Sequence, residues 1–407
     1  MARNASWLFA GQGLGLVFQA AYFVILARLL GPLQYGVYAG AFAFASLAAQ
    51  YSALGTGTVL LRYVSSDHSA FAVYWGNILV VTSVVGGALV LVLDLLGPRL
   101  LNPASAALVL LAAIGNCICA QLTIESARVF QTFEKMRFTA LINLLTSLVR
   151  TIAAATMLIT MHHCTAWQWA LISTLVSALA AAAIVITITA RFGRPRFDSN
   201  LFVKRSAEGF GYAVAMSTSS LYNDLDKTML SHYGMNHDNG VYAMAYRIVD
   251  IATIPIFSIR DAAMPRFFKL GREGIASSAE LAHRLLRRTL ALGAVGSMVM
   301  FLAAPLIPMV VGSGFVEGVA ALRWLCLIPL FRSVHQMNGC ALTGAGMQRY
   351  RTATQLVAAT LNFFLNLLLI PTWGWHGAAW SSLGTDAALA IMNWGILRFQ
   401  LSRNAYA

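Results

Sequence analysis

The sequence predicts an all-α polytopic membrane protein with about twelve transmembrane helices. One reason is composition: of 407 residues 58% are hydrophobic and only 11% charged, with a mean hydropathy of +0.69, whereas a soluble domain carries about 25% charge. The other is spacing, because apolar runs of about 20 residues, the length that crosses a bilayer core, succeed one another along the whole chain. They fall at 7–29, 37–61, 73–95, 105–126, 138–160, 168–190, 209–231, 240–262, 288–311, 318–342, 352–371 and 377–398. Loops are short except at 191–208 and 263–287, which leaves no length for a soluble domain.

Each span is supported by what flanks it. The first follows Met1-Ala2-Arg3-Asn4-Ala5-Ser6 with no small-residue cleavage site before Ile25, so a retained span is expected rather than a signal peptide. Counted over alternate loops, about 20 lysines and arginines fall on one side, and only Arg28 and Arg99 on the other. That bias places both termini in the cytoplasm, and an even number of spans, which puts the termini on one side, is consistent with it. In a soluble chain the net charge of +13 would suggest nucleic acid; here the cations mark membrane sidedness, and no nucleic-acid partner is expected. Trp75, Trp167, Trp169, Trp373, Trp375 and Trp380 cluster near span ends in the manner of interfacial anchors. Cys117, Cys119, Cys164, Cys326 and Cys340 have no metal-type spacing and read as small packing residues.

An internal repeat organises the spans. Gly36-Val37-Tyr38-Ala39 recurs as Gly240-Val241-Tyr242-Ala243, opening span two and then span eight. A unit of six spans keeps its orientation when repeated, so two six-helix lobes related by a pseudo-two-fold along the membrane normal are predicted. Their limits are 1–190 and 209–407. The basic stretch 191–208, carrying Phe197, Leu201 and Phe202, reads as a cytoplasmic amphipathic linker.

The polar side chains inside the spans are the functional candidates. At about 100° per residue, Tyr212, Ser219, Ser220, Asn223, Asp224, Asp226, Lys227 and Ser231 lie within an arc of roughly 160° of span seven. One wet face opposite one lipid face suits a helix lining a polar cavity; alternatively, Asp224 and Lys227 at i,i+3 neutralise each other. Span five aligns Asn143, Thr146, Ser147 and Arg150, and Arg150, about halfway across, needs an acid, water or an anionic ligand. Span eight aligns Arg247, Asp250, Ser258 and Asp261; span ten aligns Arg332, His335 and Gln336, with Arg323 snorkelling from its other side. Asn362 and Asn366 share a face, as do Ser382, Asp386 and Asn393, and Gln12 and Gln19. Spans three, six and nine hold little beyond Ser, Thr and apolar residues and read as periphery, leaving spans one, two, seven and eight, with five, ten, eleven and twelve, to wall a cavity.

The string Arg28-Leu29-Leu30-Gly31-Pro32-Leu33-Gln34-Tyr35-Gly36-Val37-Tyr38-Ala39, the Gly11-Gln12-Gly13 span, the charged seventh span and Tyr246-Arg247 after the second repeat resemble the polysaccharide and O-antigen flippases. Those belong to the multidrug/oligosaccharidyl-lipid/polysaccharide (MOP) exporter superfamily, and the resemblance covers essentially the whole chain. It implies a V-shaped, two-lobed inner-membrane carrier with a central cavity, moving an undecaprenyl-pyrophosphate-linked oligosaccharide to the periplasmic leaflet by alternating access. By position, Arg62, Arg150, Lys227, Arg247 and Arg332 would receive the pyrophosphate and anionic sugars, since a guanidinium fork fits phosphate oxygens; Asn223 joins them from the polar arc. Asp224, Asp226 and Asp386 are the ion-coupling candidates, because a buried carboxylate can take up a proton or sodium ion.

Two rivals are weighed against this reading. A multidrug, organic-cation antiporter of the same superfamily predicts a cavity of acids and aromatics, against which the embedded cations argue. An enzyme of the same pathway needs a sizeable exterior loop, and those at 29–36, 96–104, 161–167, 232–239, 312–317 and 372–376 are short. With no nucleophile–base arrangement, metal spacing or phosphate-cradling loop, neither catalysis nor a cofactor or metal is expected. The doubled bundle already supplies two lobes, so a monomer is expected.

Overall fold

The computed structural model describes residues 2–161 and 164–405, with side chains described except at 2–14, 215–216, 218–222 and 404–405. Every element among the described residues is helical. Two compact units divide the chain, Met1–Gly240 and Val241–Ala407. The first is built from α1 (Ala2–Ala49), α2 (Thr56–Val64), α3 (Phe71–Leu100), α4 (Pro103–Ala106), α5 (Val109–Ala113), α6 (Gln121–Thr132), α7 (Met136–Met161), α8 (Ala166–Phe192) and α9 (Ser199–His232). Then come α10 (Asn236–Gly271), whose first turn belongs to the first unit, α11 (Ile275–Ala303), α12 (Ile307–Val310), α13 (Gly318–Leu325), α14 (Ile328–Gly344), α15 (Gln348–Trp373) and α16 (Trp375–Ala405).

Several expected spans are single helices and others are joined or broken for local reasons. Spans one and two are two helices within α1 that meet at a kink, where Gly31 leaves the helical region with φ 64° and ψ 172°. Pro32 then restarts the helix, having no N–H to lose at a first turn. Span two is interrupted by Leu54 (φ 45°) and Gly55 (φ 68°) before α2. At Gly55 the carbonyl of Gly209 on α9 comes so close that no side chain would fit. Span four runs from α4 to α6 through a π-helical stretch, Ile114–Ala120. The widened turn carries Asn116, whose Nδ2 donates to the Phe42 carbonyl (3.2 Å) on α1.

Residues 199–208, read from sequence as linker, are instead the opening turns of α9, and only 193–198 is non-helical. Asp198 caps the helix by accepting from the Asn200 (2.9 Å) and Leu201 (3.1 Å) N–H groups. The short segment is fastened to α3: the Arg196 N–H donates to the Ala72 carbonyl (2.8 Å) and the Asp198 N–H to Asn77 Oδ1 (3.0 Å). Gly76 lies under the Arg196 backbone with no space for a Cβ.

In the first unit α1 packs chiefly on α7 and α9, and an aromatic and aliphatic core gathers Leu60, Phe71, Trp75, Ile78, Phe130 and Ile188. The repeated Gly-Val-Tyr-Ala has a physical reason at its glycines. A Cβ on Gly36 would strike the Asn236 carbonyl, and one on Gly240 would strike the Pro32 carbonyl and lie 3.1 Å from the Gly36 nitrogen. The two copies thus begin where two backbones touch. Asn239 secures the crossing by donating to the carbonyls of Gly36 and Lys227, both at 3.0 Å. In the second unit α11 packs on α14, α14 on α16 and α15 on α16, with Phe267, Ile275, Ala282, Leu342 and Leu397 in a core at one end.

Exposed apolar side chains show which faces meet lipid. Leu91, Leu95, Leu179, Ile186, Val295 and Leu302 on α3, α8 and α11 are all more than half exposed, as expected of peripheral spans. α8 nevertheless has a buried polar face, with Ser173, Thr174 and Ser177 turned inward. The tryptophans divide: Trp167 and Trp373 are exposed, but Trp75 and Trp169 are fully enclosed and Trp375 nearly so. Position near a span end does not distinguish a lipid-facing ring from one turned into the bundle. All five cysteines are buried and free.

Candidate functional site

The polar side chains of the spans gather into separate clusters, several of them charged. On α9, Lys227 Nζ lies 3.3 Å from Asp224 Oδ1 and 3.5 Å from Asp226 Oδ1, and donates to the Asn223 carbonyl. Asp224 Oδ2 accepts from Ser46 on α1 (2.5 Å), and Asp226 accepts from the Lys227 N–H (2.7 Å). Lys227 is therefore held between two carboxylates on its own helix, the pairing that the i,i+3 spacing allows. Asp224 keeps 28% of its side chain exposed while Asp226 has none. Ser231 is also sealed, its hydroxyl and carbonyl receiving the Asn102 amide at 3.0 and 2.6 Å. The predicted wet face is thus wet at Asn223 and Asp224 and dry at Asp226 and Ser231. Ser219 and Ser220 lie outside the described side chains, as does Gln12 on α1.

Arg150 behaves differently. Its Nη2 donates to Ser177 on α8 (3.1 Å), its buried Nε has no hydrogen-bond partner, and no carboxylate lies within 4.0 Å of it among the described residues. Trp169, whose ring centroid is 5.9 Å from that of Tyr22, is fully buried, and its Nε1–H, turned towards Tyr38, makes no well-formed hydrogen bond. Arg150 on α7 and Trp169 on α8 each keep buried donor capacity unfilled. Sequence reasoning singled out Arg150 but missed Trp169 and Ser177; the serine at i+8 from Trp169 on the same face of α8 was the available signal.

Arg62 ends α2 exposed rather than free. Its Nη1 meets Glu208 Oε1 at 2.6 Å, Tyr63 donates to Glu208 Oε2 (3.0 Å), and Arg205 donates to the Tyr63 hydroxyl (2.8 Å). Desolvation pushes the Glu208 carboxyl up, but hydrogen bonds from Tyr63 and Arg62 and the charges of Arg62 and Arg205 outweigh it, leaving the group below its ordinary value.

In the second unit Arg332 is buried among partners. Its Nη1 reaches Asp250 Oδ1 (3.1 Å) and Thr253 Oγ1 (3.2 Å), its Nη2 reaches the Tyr246 hydroxyl (2.7 Å), and its Nε faces Asp386 Oδ2 at 3.9 Å. Asp386 also faces His335 Nε2 at 3.3 Å. Asn393 donates to the His335 carbonyl (3.1 Å) and accepts from Thr354 (2.7 Å). Gln336 accepts from Arg351 (3.3 Å) and Arg260 (3.5 Å). Arg247 lies exposed on α10, away from the buried side that carries Tyr246. Asn362 and Asn366 form a neutral cluster with Ser381 and Thr385. The partners Tyr246 and Thr253, four residues before and three after Asp250, share a face with that residue, which the sequence had marked. Within either unit alone, no three His, Cys, Asp or Glu side chains of the described residues converge closely enough to hold a metal ion.

Eight of the described helices are long and apolar enough to cross a membrane, and with the buried ion pairs and polar clusters between them they define a multi-pass integral membrane protein. Residues 1–271 match the family described as polysaccharide biosynthesis protein, and the chain belongs to that family. No curated protein matches it. Among solved structures it is similar to an inward-facing multidrug resistance MATE family transporter of the MOP superfamily, with 13% identity over 96% of this chain and 95% of that one, and a TM-score of 0.76. It is also similar to the lipid II flippase MurJ in an inward closed conformation, with 12% identity over 98% and 88% of the two chains and a TM-score of 0.73. A MOP superfamily transporter from Pyrococcus furiosus, described by a binding pocket of reversed polarity, gives 12% identity over 98% and 95%, with a TM-score of 0.65. At these identities the likeness establishes the fold, the twelve-helix, two-lobe arrangement of the MOP superfamily.

Proposed function

We propose that this protein is a flippase that carries an undecaprenyl-pyrophosphate-linked oligosaccharide, an O-antigen, capsule or exopolysaccharide repeat unit, from the cytoplasmic to the periplasmic leaflet. It works by alternating access in the bacterial inner membrane, as a monomer with both termini in the cytoplasm, and it is coupled to an ion. Its six-helix lobes are 1–190 and 209–407. No bond is made or broken in this cycle. The observation that carries the reading is Arg150, an uncompensated cation in a membrane helix with donors still to fill. Such a group is costly in lipid unless it meets an anion during the working cycle, and a diphosphate or an acidic sugar supplies one. Family membership supports a polysaccharide substrate, and the lipid II flippase among the similar folds supports a lipid-linked one.

The roles follow from the pairings. Arg150 is the primary anion contact, and Asn223 and Lys227 on α9 are the further polar groups that meet the substrate. Arg62 and Arg247 sit at exposed positions suited to an early encounter. Arg332, already saturated by Asp250, Thr253 and Tyr246, acts on helix position rather than on substrate. Asp224, Asp226 and Asp386 remain the ion-coupling groups. A second reading, export of organic cations, is favoured by one feature: Asp224 and Asp226 together carry one more charge than Lys227 neutralises. Proteoliposomes containing the purified protein and a labelled undecaprenyl-pyrophosphate oligosaccharide separate the two. Translocation of the glycan is expected; its absence for several glycans, together with export of a cationic dye, would establish the multidrug reading instead.

A further inference from the structure

The charges of the second unit are unevenly placed. Arg332 faces two carboxylates, Asp250 on α10 at 3.1 Å and Asp386 on α16 at 3.9 Å, while the other cation near His335, Arg351, is bonded to the neutral Thr343 and Gln336, so the negative excess is local to Arg332. Asp250 is eased by water, since 41% of its side chain is exposed. Asp386 is not: only 6% of it is exposed, and the 3.9 Å to Arg332 Nε is past hydrogen-bond reach. Its other neighbour is His335 Nε2 at 3.3 Å, equally buried and without a formed hydrogen bond. A carboxylate left alone in such surroundings is unfavourable. One proton shared with the imidazole removes the excess, either as an imidazolium–carboxylate pair or as a carboxylic acid beside a neutral ring.

The surrounding charges have been taken into account. On its own helix His335 feels Arg332, from α16 Asp386, and from α15 Arg351, whose guanidinium is bonded to Thr343 (3.1 Å) and Gln336 (3.3 Å). α10 brings Asp250 and Tyr246 to Arg332, together with the Arg260–Asp261 pair, which neutralises itself at 2.8 Å. α11 lays the Thr289 carbonyl and Gly293, neither of them charged, against Ser333 of α14.

We propose that His335 and Asp386 together hold one exchangeable proton, and that its loss draws the Arg332 guanidinium away from Asp250 and Tyr246 towards Asp386, coupling transport to protons rather than to sodium. The inference rests on the transport reading and names its coupling group. The proton leaves for water from the His335–Asp386 dyad. The buried excess charge then finds its nearest cation at Arg332, whose Nε is about one ångström from hydrogen-bond range. Moving it changes the contact between α14 and both α10 and α16, three helices that the same guanidinium ties together.

The test needs no sugar lipid. Full-length protein in lipid nanodiscs is titrated from about pH 8 to about pH 5, the window in which histidine-linked groups change charge. Proton uptake is counted with an indicator dye while the infrared carboxyl and tyrosine bands are recorded. The wild type is expected to take up one proton more than Asp386→Asn, and His335→Gln to keep that proton on the carboxyl with a displaced midpoint. The tyrosine band lost in Tyr246→Phe is expected to move with the same midpoint. Monodisperse elution of each variant guards against misfolding, and His335→Gln, which keeps a hydrogen-bonding side chain, serves if Asp386→Asn fails to fold. Equal uptake by the wild type and Asp386→Asn, or an unmoved midpoint in His335→Gln, overturns the site, and sodium releasing the proton one for one overturns its assignment to protons. A Tyr246 band that stays still overturns the movement of Arg332. A protein that titrates as described yet translocates no lipid-linked glycan refutes the transport reading while leaving the dyad standing.

Discussion

Replacing Arg150 with methionine sets stability against activity, because the same side chain is a burden at rest and a tool at work. A cation near the middle of a span costs about 2.5–3.5 kcal/mol on insertion scales. The structure gives this one a single hydrogen bond, to Ser177 at 3.1 Å, and a bond from a charged donor returns about 1.5–3 kcal/mol. The difference leaves Arg150→Met between unchanged and about 2 kcal/mol more stable, since methionine fills a similar space with no buried Nε to satisfy. Activity is expected to move the other way. Losing one charge-assisted contact to a phosphate oxygen, worth about 1.5–3 kcal/mol, slows translocation roughly tenfold to a hundredfold. Arg150→Lys is expected to lie between, retaining the charge without the two-pronged donor geometry. Thermal melting of purified protein and initial rates of glycan flipping in proteoliposomes measure the two halves. A variant that melts lower while flipping at the wild-type rate would show Arg150 to be a structural group and remove the reasoning.

Arg332→Met is expected to do the opposite, destabilising by about 3–5 kcal/mol because it strands Asp250 and Asp386 without their shared cation; chemical denaturation in detergent measures it. Gly240→Val is expected to reduce the folded yield, read by size-exclusion, since its Cβ meets the Pro32 carbonyl with no flexible neighbour to give way; Gly87→Val, whose added Cβ would enter open space, is the control. Glu208→Gln probes pH. The carboxyl lies below its ordinary value in the folded protein, so its contribution to stability is complete above the unfolded value of about 4.3 and fades as pH falls through the lower folded value. The gap in melting temperature between wild type and Glu208→Gln is therefore expected to be present at neutral pH and to close on acidification.

The hydrophobic runs made the crossings readable, and a 3.6-residue period placed Arg150, Arg332, His335 and Asp386 on inward faces. The pairings were not readable, because Asp250, Tyr246, Arg332 and Asp386 come from three helices whose relative rotation no linear pattern states. The limits of α9 were missed for a different reason. Lys204, Arg205 and Glu208 interrupt the apolar signal, but charged residues are good helix formers, and the helix begins where Asp198 can cap it. Trp169 was taken for an anchor on position alone; its partner Tyr22 lies almost 150 residues earlier, so nothing nearby in sequence marked it as interior.

The segment between α8 and α9 has a practical bearing. From its arginines and proline it looks like slack chain into which a reporter or affinity tag might be spliced without harm. Because Arg196 and Asp198 are latched to the backbone of Ala72 and the amide of Asn77, with Gly76 beneath them, it works as a buckle. An insertion there would prise α9 from the beginning of α3, and the tolerant places for engineering must be sought elsewhere on the surface.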